Sequence, residues 1–133
     1  MSLSTEDRQA ILDLAARYNQ AIDSADVDGW IACWTPDAHF DPPGRAVFDG
    51  PDGLRQFAEG HIAQFPNTRH WNANHVIEGD GESATMSCYL NFFGVKGGPK
   101  LLAAGTYQDT LRKVDGAWLF ATRKVMIDRA PDG

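Results

Sequence analysis

The first half of the chain carries apolar residues at the three- and four-residue spacing of amphipathic helices. A capping hydroxyl followed by acidic residues, at positions 4–7, predicts the start of a first helix that runs to about Ser24. The apolar positions of this helix share one face, which we expect to be buried. They are Ile11, Leu14, Ala15, Tyr18 and Ile22.

Two further helices are predicted before residue 67. Asp26 can cap a short second helix that extends through Trp34 and ends at Pro36. The Gly50-Pro51 pair opens a third helix, with proline at its first position, and Pro66 stops it. Short strands are expected between the second and third helices, at positions 39–41 and 45–49.

From residue 69 the pattern changes to long segments that alternate between polar and apolar positions, which is typical of β-strands. Glycine-containing turns separate four such segments and predict hairpins. The segments span positions 69–78, 83–95, 100–114 and 117–128. Helices followed by an antiparallel meander indicate the α+β class, in which the three helices cover one face of the sheet.

A long-stranded sheet that curls around helices leaves a hollow between the two, and such hollows are the usual sites of small-molecule ligands. The 133 residues suit one domain with one core, spanning positions 1–133. A small-molecule ligand in that hollow is therefore the partner that the pattern favours.

Composition narrows the range of other partners and cofactors. The net charge of −6 and the lack of a Lys/Arg-rich run argue against nucleic acid or an anionic membrane. No apolar stretch approaches the roughly 20 residues of a membrane span, and the N-terminus lacks signal-peptide features, so we expect a cytoplasmic protein. The cysteines and histidines lack metal-ligand spacing, and no glycine-rich phosphate loop follows a strand, so we expect no metal and no other cofactor.

Asp23 and His70 are the leading candidates for chemistry. Asp23 lies off the centre of the apolar stripe and in the last turn of its helix, where the helix dipole disfavours a carboxylate unless a group such as an imidazolium compensates. His70 opens the first long strand and shares a face with Asn72, Asn74 and Val76 if alternation is strict. An Asp–His pair in an apolar hollow is a general base, but only a fold that brings the helix end over the strand joins the two.

Three further polar residues each have two interpretations. Tyr18 is either a core tyrosine bonded to the backbone or a hydrogen-bond donor to a substrate oxygen. Arg123 either pairs with an acid such as Asp23 or Asp41, or binds an anionic or leaving group. Asp41 is either a proton-transfer base or part of a turn. The remaining histidines have no comparable support; they are His39, His61 and His75.

The strand patterns also indicate which faces of the sheet are covered. In the second long strand, the set that contains Tyr89 and Asn91 either lines the hollow or faces a partner subunit. The last strand is apolar on both faces, since Trp118 and Phe120 oppose the face of Arg123, and such a strand is covered on both sides. We therefore expect a homodimer that forms through the outer face of the sheet.

Six short motifs are spread along the chain. They are Arg17-Tyr18-x4-Asp23-x2-Asp26-x-Asp28-Gly29-Trp30, Pro36-Asp37-Ala38-x-Phe40, Gly50-Pro51-x-Gly53-Leu54, Thr68-x-His70-x3-Asn74, Gly105-Thr106-Tyr107-x-Asp109 and Asp115-Gly116-x-Trp118. Together they resemble the SnoaL-like branch of the nuclear transport factor 2-like, or cystatin-like cone, superfamily. The resemblance implies a cone-shaped roll, in which a strongly curved mixed or antiparallel sheet wraps around three N-terminal helices and encloses a pocket.

Within that superfamily, the catalytic pattern is similar to those of scytalone dehydratase, bile acid 7α-dehydratase and hexachlorocyclohexane dehydrochlorinase. Their Asp–His dyad for elimination matches Asp23 and His70, and the active-site tyrosine of the bile acid enzyme matches Tyr18. The strand arginine of the dehydrochlorinase matches Arg123, but that enzyme has lysine in place of the tyrosine, which argues against its exact reaction. The base of ketosteroid isomerase resembles Asp41, whereas its second, protonated aspartate falls near Tyr107.

These residues and the resemblance lead to three hypotheses. The first is a cofactor-free lyase of the dehydratase type, in which His70 takes a proton from carbon, Asp23 orients it, and Tyr18 and Arg123 support the developing charge. The second is an isomerase or cyclase that uses Asp41 and Tyr18. The third is a non-catalytic ligand carrier or an accessory subunit, like the small subunit of ring-hydroxylating dioxygenases. The side chains expected to contact an apolar ring compound are Trp30, Trp34, Phe40, Asp41, Phe57, Asn74, Tyr89 and Tyr107.

Overall fold

The computed structural model describes residues 2–129, and the helices and strands follow the order that the sequence predicts. The helices are α1 (Thr5–Asp23), α2 (Val27–Ile31) and α3 (Gly50–Gln64). The strands are β1 (Trp34–Asp41), β2 (Phe48–Asp49), β3 (Thr68–Gly79), β4 (Ser83–Gly94), β5 (Lys100–Val114) and β6 (Ala117–Ile127).

Local side-chain chemistry fixes where the first two helices begin. The Ser4 hydroxyl accepts a hydrogen bond from the Asp7 amide at 3.0 Å. The Asp26 carboxylate accepts one from the Gly29 amide at 2.9 Å. Both caps are those that the sequence predicts, and they set the direction in which α1 and α2 leave their preceding turns.

The second helix is shorter than the sequence predicts, and the prediction that it reaches Trp34 is wrong. α2 ends at Ile31, and Trp34 begins strand β1 instead. The reason is pairing with the far end of the chain: Trp34 lies opposite Phe120 of β6, and the Cys33 carbonyl accepts a hydrogen bond from the Phe120 amide at 2.9 Å. The short strand expected at 45–49 is reduced to Phe48–Asp49.

The six strands form one open, curved sheet in the order β2-β1-β6-β5-β4-β3. Strands β3 to β6 pair antiparallel as a meander, whereas β1 lies parallel to β6, so the sheet is mixed. The helices pack on its concave face and bury a core there. No helix within residues 2–129 combines the length and the apolar character that crossing a bilayer requires.

Two irregularities in the strands change which side chains face the core. In β3, Ala73 lies opposite Tyr89 but Val76 lies opposite Ser87, and Asn74 has a φ of 60°. This bulge reverses the alternation that strict pairing predicts: Val76 turns outward, and Ile77 turns into the core.

The second irregularity is in β6, where the pairing with β5 shifts between Thr122 and Phe120. Both Phe120 and its neighbour Ala121 are buried, and the Phe120 ring packs against Tyr18 of α1. The Trp118 indole donates a hydrogen bond to Asp7, also on α1. Trp118 and Phe120 therefore face the helices, and the prediction that they form a second apolar face on the last strand is wrong.

Candidate functional site

The end of α1 lies directly over the start of β3, and this contact joins Asp23 to His70. The Asp23 carboxylate accepts hydrogen bonds from the Thr68 hydroxyl at 3.0 Å and from the His70 amide at 2.9 Å. Its Oδ1 atom lies 2.6 Å from His70 Nδ1. The two side chains are only 9% and 8% exposed.

These contacts answer the question that the position of Asp23 raised in the sequence. A carboxylate in the last turn of a helix faces the negative end of the helix dipole, which is unfavourable. Three donors from the first residues of β3 compensate for it. Because Nδ1 of His70 is held by Asp23, Nε2 is the nitrogen left free to meet a ligand.

His70 opens on a cavity of about 310 Å³ between α3 and the concave face of the sheet. The β1 end and the loop after it, the inner face of α3, and inward positions of β3 to β6 form its walls. The lining residues are Phe40, Pro42, Pro43, Arg45, Phe57, His61, Gln64, Phe65, His70, Leu90, Phe92, Ala103, Tyr107, Val125 and Ile127. The interior is therefore largely apolar and aromatic with few polar groups, as in small-molecule sites generally.

The structure separates the predicted ligand contacts into three groups. Phe40, Phe57 and Tyr107 line the cavity. Trp30 and Trp34 are buried in the core beside it, in contact with each other at a ring-centroid distance of 5.5 Å. The remaining three predicted contacts are not part of the lining that residues 2–129 provide.

Those three side chains are directed elsewhere. Tyr89 is 59% exposed on the outer face of the sheet. Asn74 occupies the β3 bulge and is exposed to solvent. Asp41 follows the inward-facing Phe40, so alternation along β1 directs it to the other side of the strand. This placement gives no support to a reaction in which Asp41 is the base.

Arg123 pairs with Asp109, which is neither of the acids that the sequence favoured. Two hydrogen bonds of 2.7 and 3.0 Å join the guanidinium to the Asp109 carboxylate, and both side chains are fully buried. The Arg123 Nη1 atom is buried without a hydrogen-bond partner among the described residues. Burial disfavours the cation, but the Asp109 carboxylate outweighs it, so the pKa of Arg123 is raised.

Tyr18 and Arg123 lie behind the cavity wall, where Arg123 packs against both Tyr18 and the wall residue Tyr107. The guanidinium carbon lies 4.5 Å from the ring centre of Tyr18 and 3.7 Å from that of Tyr107, which lines the cavity. Burial raises the pKa of Tyr18 to about 12, so its hydroxyl stays protonated. The catalytic roles that the sequence gives to Tyr18 and Arg123 stay predictions, since neither side chain is part of the cavity lining formed by residues 2–129.

His61 and Arg45 line the cavity although sequence reasoning gave neither of them a role. The signal for His61 was present, because it lies four residues after Phe57 and four before Phe65 on the apolar stripe of α3. Arg45 lies in the loop before β2, because the strand that the sequence predicts at 45–49 is reduced to Phe48–Asp49. Its guanidinium carbon lies 5.6 Å from the Phe57 ring centre.

Two other clefts lie next to the dyad. Asp23 also borders two clefts on the outer surface, one beside Asn67 and one between α1 and β3, and His70 borders the second of them. His70 lines both the second cleft and the inner cavity, and the inner cavity is the one with aromatic walls. Within residues 2–129, no three His, Cys, Asp or Glu side chains converge as metal ligands do.

Comparison with known proteins gives one family and many similar folds. The model of the SnoaL-like domain matches residues 4–124. No curated protein matches the sequence.

Two similar solved structures are proteins of unknown function. A cystatin-like protein from Nostoc punctiforme is 27% identical, over 98% of this chain and 97% of that chain, with a TM-score of 0.91. A variant of Rv3472 from Mycobacterium tuberculosis is 34% identical, over 97% of this chain and 80% of that chain, with a TM-score of 0.90.

A third similar structure is that of LinA. It is 23% identical, over 93% of this chain and 87% of that chain, with a TM-score of 0.83, which is a likeness of fold alone.

Proposed function

This chain belongs to the SnoaL-like domain family, and from that premise we propose that it binds a small, largely apolar ring compound in the inner cavity and acts on it as a cofactor-free lyase of the dehydratase type. The observation that carries the proposal is the dyad. A buried carboxylate lies 2.6 Å from the Nδ1 atom of His70, a residue that lines an aromatic cavity.

Each member of the dyad has a definite task in this reaction. His70 Nε2 takes a proton from a carbon of the ligand and becomes an imidazolium. Asp23 holds Nδ1–H, fixes the ring orientation and stabilises the positive charge as it forms. The amide of His70 and the hydroxyl of Thr68 keep the carboxylate in place, so little reorganisation accompanies the proton transfer.

The cavity limits the size and character of the ligand. Its volume of about 310 Å³ lies at the small end of ligand pockets, which suits a molecule of one or two rings. Phe57, Phe92 and Tyr107 give aromatic walls against which a flat ring can pack. The cavity wall has few polar groups. A ligand with few polar atoms therefore leaves few polar atoms without a hydrogen-bond partner.

Proton abstraction can be tested with a model ketone. The bicyclic ketone 2-tetralone has acidic C–H bonds beside its carbonyl, and their exchange with solvent deuterium is followed by proton NMR. We expect the protein to accelerate this exchange above the buffer rate. His70→Ala should remove about 10²–10⁴-fold of the acceleration, the range typical of a general base.

The chain provides a matched control for that experiment. His39 and Asp49 form a second Asp–His pair, which lies exposed on the surface. His39→Ala should leave the exchange rate unchanged. Asp41→Asn should also leave it unchanged, whereas loss of exchange in that variant would favour the isomerase mechanism. Binding of 2-tetralone without any acceleration in the wild-type protein would contradict the lyase proposal and favour a carrier.

We further propose that the chain forms a homodimer through the outer face of its sheet. The apolar side chains that the pairing directs outward support this arrangement. Trp71 of β3 packs on Phe93 of β4 at a ring-centroid distance of 4.8 Å, and Trp71 is still 62% exposed. Tyr89 and Leu101 extend this exposed surface, which we call the outer apolar patch (Trp71, Tyr89, Phe93 and Leu101).

A further inference from the structure

The cavity contains a second imidazole that the dyad does not use. His61 of α3 lies between Phe57 and Phe65, at ring-centroid distances of 5.6 and 5.3 Å. Phe92 of β4 packs on it at 5.6 Å. Its ring centre lies 5.7 Å from that of His70. The two imidazoles therefore face the same small volume from two walls, one from the helix and one from the sheet.

The Nε2 atom of His61 is buried and has no hydrogen-bond partner within residues 2–129. Buried polar atoms in folded proteins are nearly always paired, so an atom of this kind calls for a partner such as a water or a ligand. Aromatic rings surround the imidazole and offer no strong acceptor or donor of their own. Because His61 lines the cavity, a molecule in the cavity can supply the missing partner.

The environment of His61 keeps the imidazole neutral. Burial, followed by the nearby His70, lowers the pKa of His61 to about 4. A neutral imidazole carries one N–H donor and one acceptor nitrogen. Such a group can polarise a carbonyl without giving its proton away, because the imidazole is a much weaker acid than the imidazolium.

We propose that His61 Nε2–H donates a hydrogen bond to a carbonyl oxygen of the ligand, next to the C–H bond that His70 attacks. This inference rests on the proposed lyase function and makes it more specific. The substrate class is then a β-hydroxy carbonyl compound on a frame of one or two apolar rings. His61 is the group that binds the oxygen on which negative charge develops.

The reaction balances with the groups present. His70 Nε2 takes the proton, and the C–H electron pair moves into a carbon–carbon double bond while the carbonyl π pair moves to oxygen. His61 Nε2–H holds the resulting enolate. The carbonyl then re-forms, the β carbon–oxygen bond breaks, and the departing hydroxyl takes the proton from His70. Water leaves, His70 is neutral again, and the product is an α,β-unsaturated carbonyl compound.

Two probes of similar shape isolate the hydrogen bond. The ketone 2-tetralone can only accept a hydrogen bond at its oxygen, and tetralin is the hydrocarbon frame without that oxygen. We expect the wild-type protein to bind 2-tetralone about fivefold more tightly than tetralin, once both constants are corrected for transfer from water, because a neutral hydrogen bond is worth about 1 kcal/mol. Isothermal titration calorimetry measures both constants.

Two variants of His61 separate hydrogen bonding from packing. His61→Phe keeps an aromatic ring between Phe57 and Phe65 and should bind tetralin like the wild type but lose the preference for the ketone. His61→Gln places an amide N–H near the position of Nε2 and should keep the preference. An unchanged preference in His61→Phe would overturn the inference. A wild-type protein that does not prefer the ketone, or binds neither probe, would overturn it as well.

A spectroscopic measurement on the wild-type protein gives an independent check and does not depend on the fold of a variant. Nitrogen-15 NMR of the histidine rings should show His61 with its proton on Nε2, and this N–H should shift when 2-tetralone binds but not when tetralin binds. A proton on Nδ1 in the complex would overturn the inference.

The inference and the proposed function fail in different ways. His70→Ala should stop deuterium exchange yet keep the fivefold preference for the ketone, because His61 is intact in it. If the wild-type protein prefers the ketone but never accelerates exchange, the lyase proposal is wrong and His61 is a specificity residue of a carrier. If exchange is accelerated and His61→Phe changes neither exchange nor preference, the dyad stands and the inference is wrong.

Discussion

Arg123 and Asp109 form a fully buried ion pair at the centre of the molecule. The guanidinium is joined to the carboxylate by two hydrogen bonds and lies 4.3 Å from the ring centre of Phe120. Each of these two buried charges stabilises the other, because a buried charge that loses its partner is strongly unfavourable. The pair also lies directly beneath Tyr107, so it holds one wall of the cavity in place.

We predict that Asp109→Asn lowers the free energy of unfolding by about 3–5 kcal/mol, because it leaves the Arg123 cation buried with no counter-charge. Urea unfolding followed by circular dichroism measures the change. The matched control is Asp37→Asn, which breaks an exposed pair between Asp37 and Arg112 that is also joined by two hydrogen bonds. That control should move the urea midpoint little, since exposed ion pairs contribute little to stability. Equal midpoint shifts in the two variants would show that burial is not the cause.

His61 makes stability depend on pH. Burial lowers its folded pKa from 6.5 to about 4, so between these values the unfolded chain binds the proton more readily than the folded protein does. Stability from this residue is complete above pH 6.5 and is lost as the pH falls towards 4. We predict a loss of about 3 kcal/mol over that range, from the size of the pKa difference.

Urea unfolding at several pH values between 7.5 and 4 tests this prediction. The wild type should lose stability on acidification faster than His61→Phe, which has no group to protonate at that position. His39→Gln is the control, because its imidazole lies on the surface. It should follow the wild-type curve. If the wild type and His61→Phe fall in parallel, the imidazole of His61 is not held neutral by the fold.

At the scale of elements, the site arises where the end of α1 meets the start of β3. The sequence predicts both ends well, because a hydroxyl cap, an apolar stripe and a change of period are local signals. It also marks Asp23 as an acid at the unfavourable end of a helix. The distance between Asp23 and His70 is not local, since it depends on how the whole sheet curves beneath α1. From the sequence, only the family resemblance implied that Asp23 and His70 meet.

The β-bulges explain most of what the strand pattern predicted wrongly. One extra residue in β3 moves Val76 from the predicted inner face to the outside, and another in β6 moves Trp118 and Phe120 to the core. A period-2 pattern cannot reveal such an insertion, because the residues on both sides of it still alternate. In β3, Asn74 has the positive φ that asparagine tolerates better than most residues, which is a weak signal on its own.

In helix α3, by contrast, the sequence contains a signal for a cavity residue that the prediction did not use. His61 lies on the same apolar stripe as Phe57 and Phe65, so its inward direction could be predicted from helical spacing alone. What the spacing could not reveal was that the stripe faces a cavity instead of a filled core. A histidine on an apolar face has chemical meaning only when space for a ligand adjoins it.

At the scale of the molecule, the concave face of the sheet is filled by core side chains in one part and leaves a cavity beneath α3 in the other. Trp30 and Trp34 pack in the filled part with Tyr18 and Phe120. These two tryptophans, which the sequence predicts as ligand contacts, therefore belong to the core. The open part receives one residue or more from five of the six strands. One fold of this kind hosts many activities, so the chemistry depends on the cavity wall and not on the cone.

The outer apolar patch is the feature that a second copy of the chain would cover. Its support does not come from the last strand, as the sequence suggested, because Trp118 and Phe120 face the core. It comes from β3 to β5, where Trp71 is 62% and Tyr89 is 59% exposed. An exposed aromatic surface on the outer face of the sheet is costly in water, and pairing two such faces removes both from solvent at once.

We predict that light scattering at micromolar concentration gives twice the mass of one chain. Trp71→Glu should weaken association tenfold or more, since it places a charge at the centre of an aromatic contact. The matched control is Val47→Glu, at a valine that is 50% exposed in the loop before β2 and outside the patch. That variant should remain dimeric. A wild-type monomer at this concentration would contradict the prediction, and a dimer that both variants leave intact would place the interface on another face.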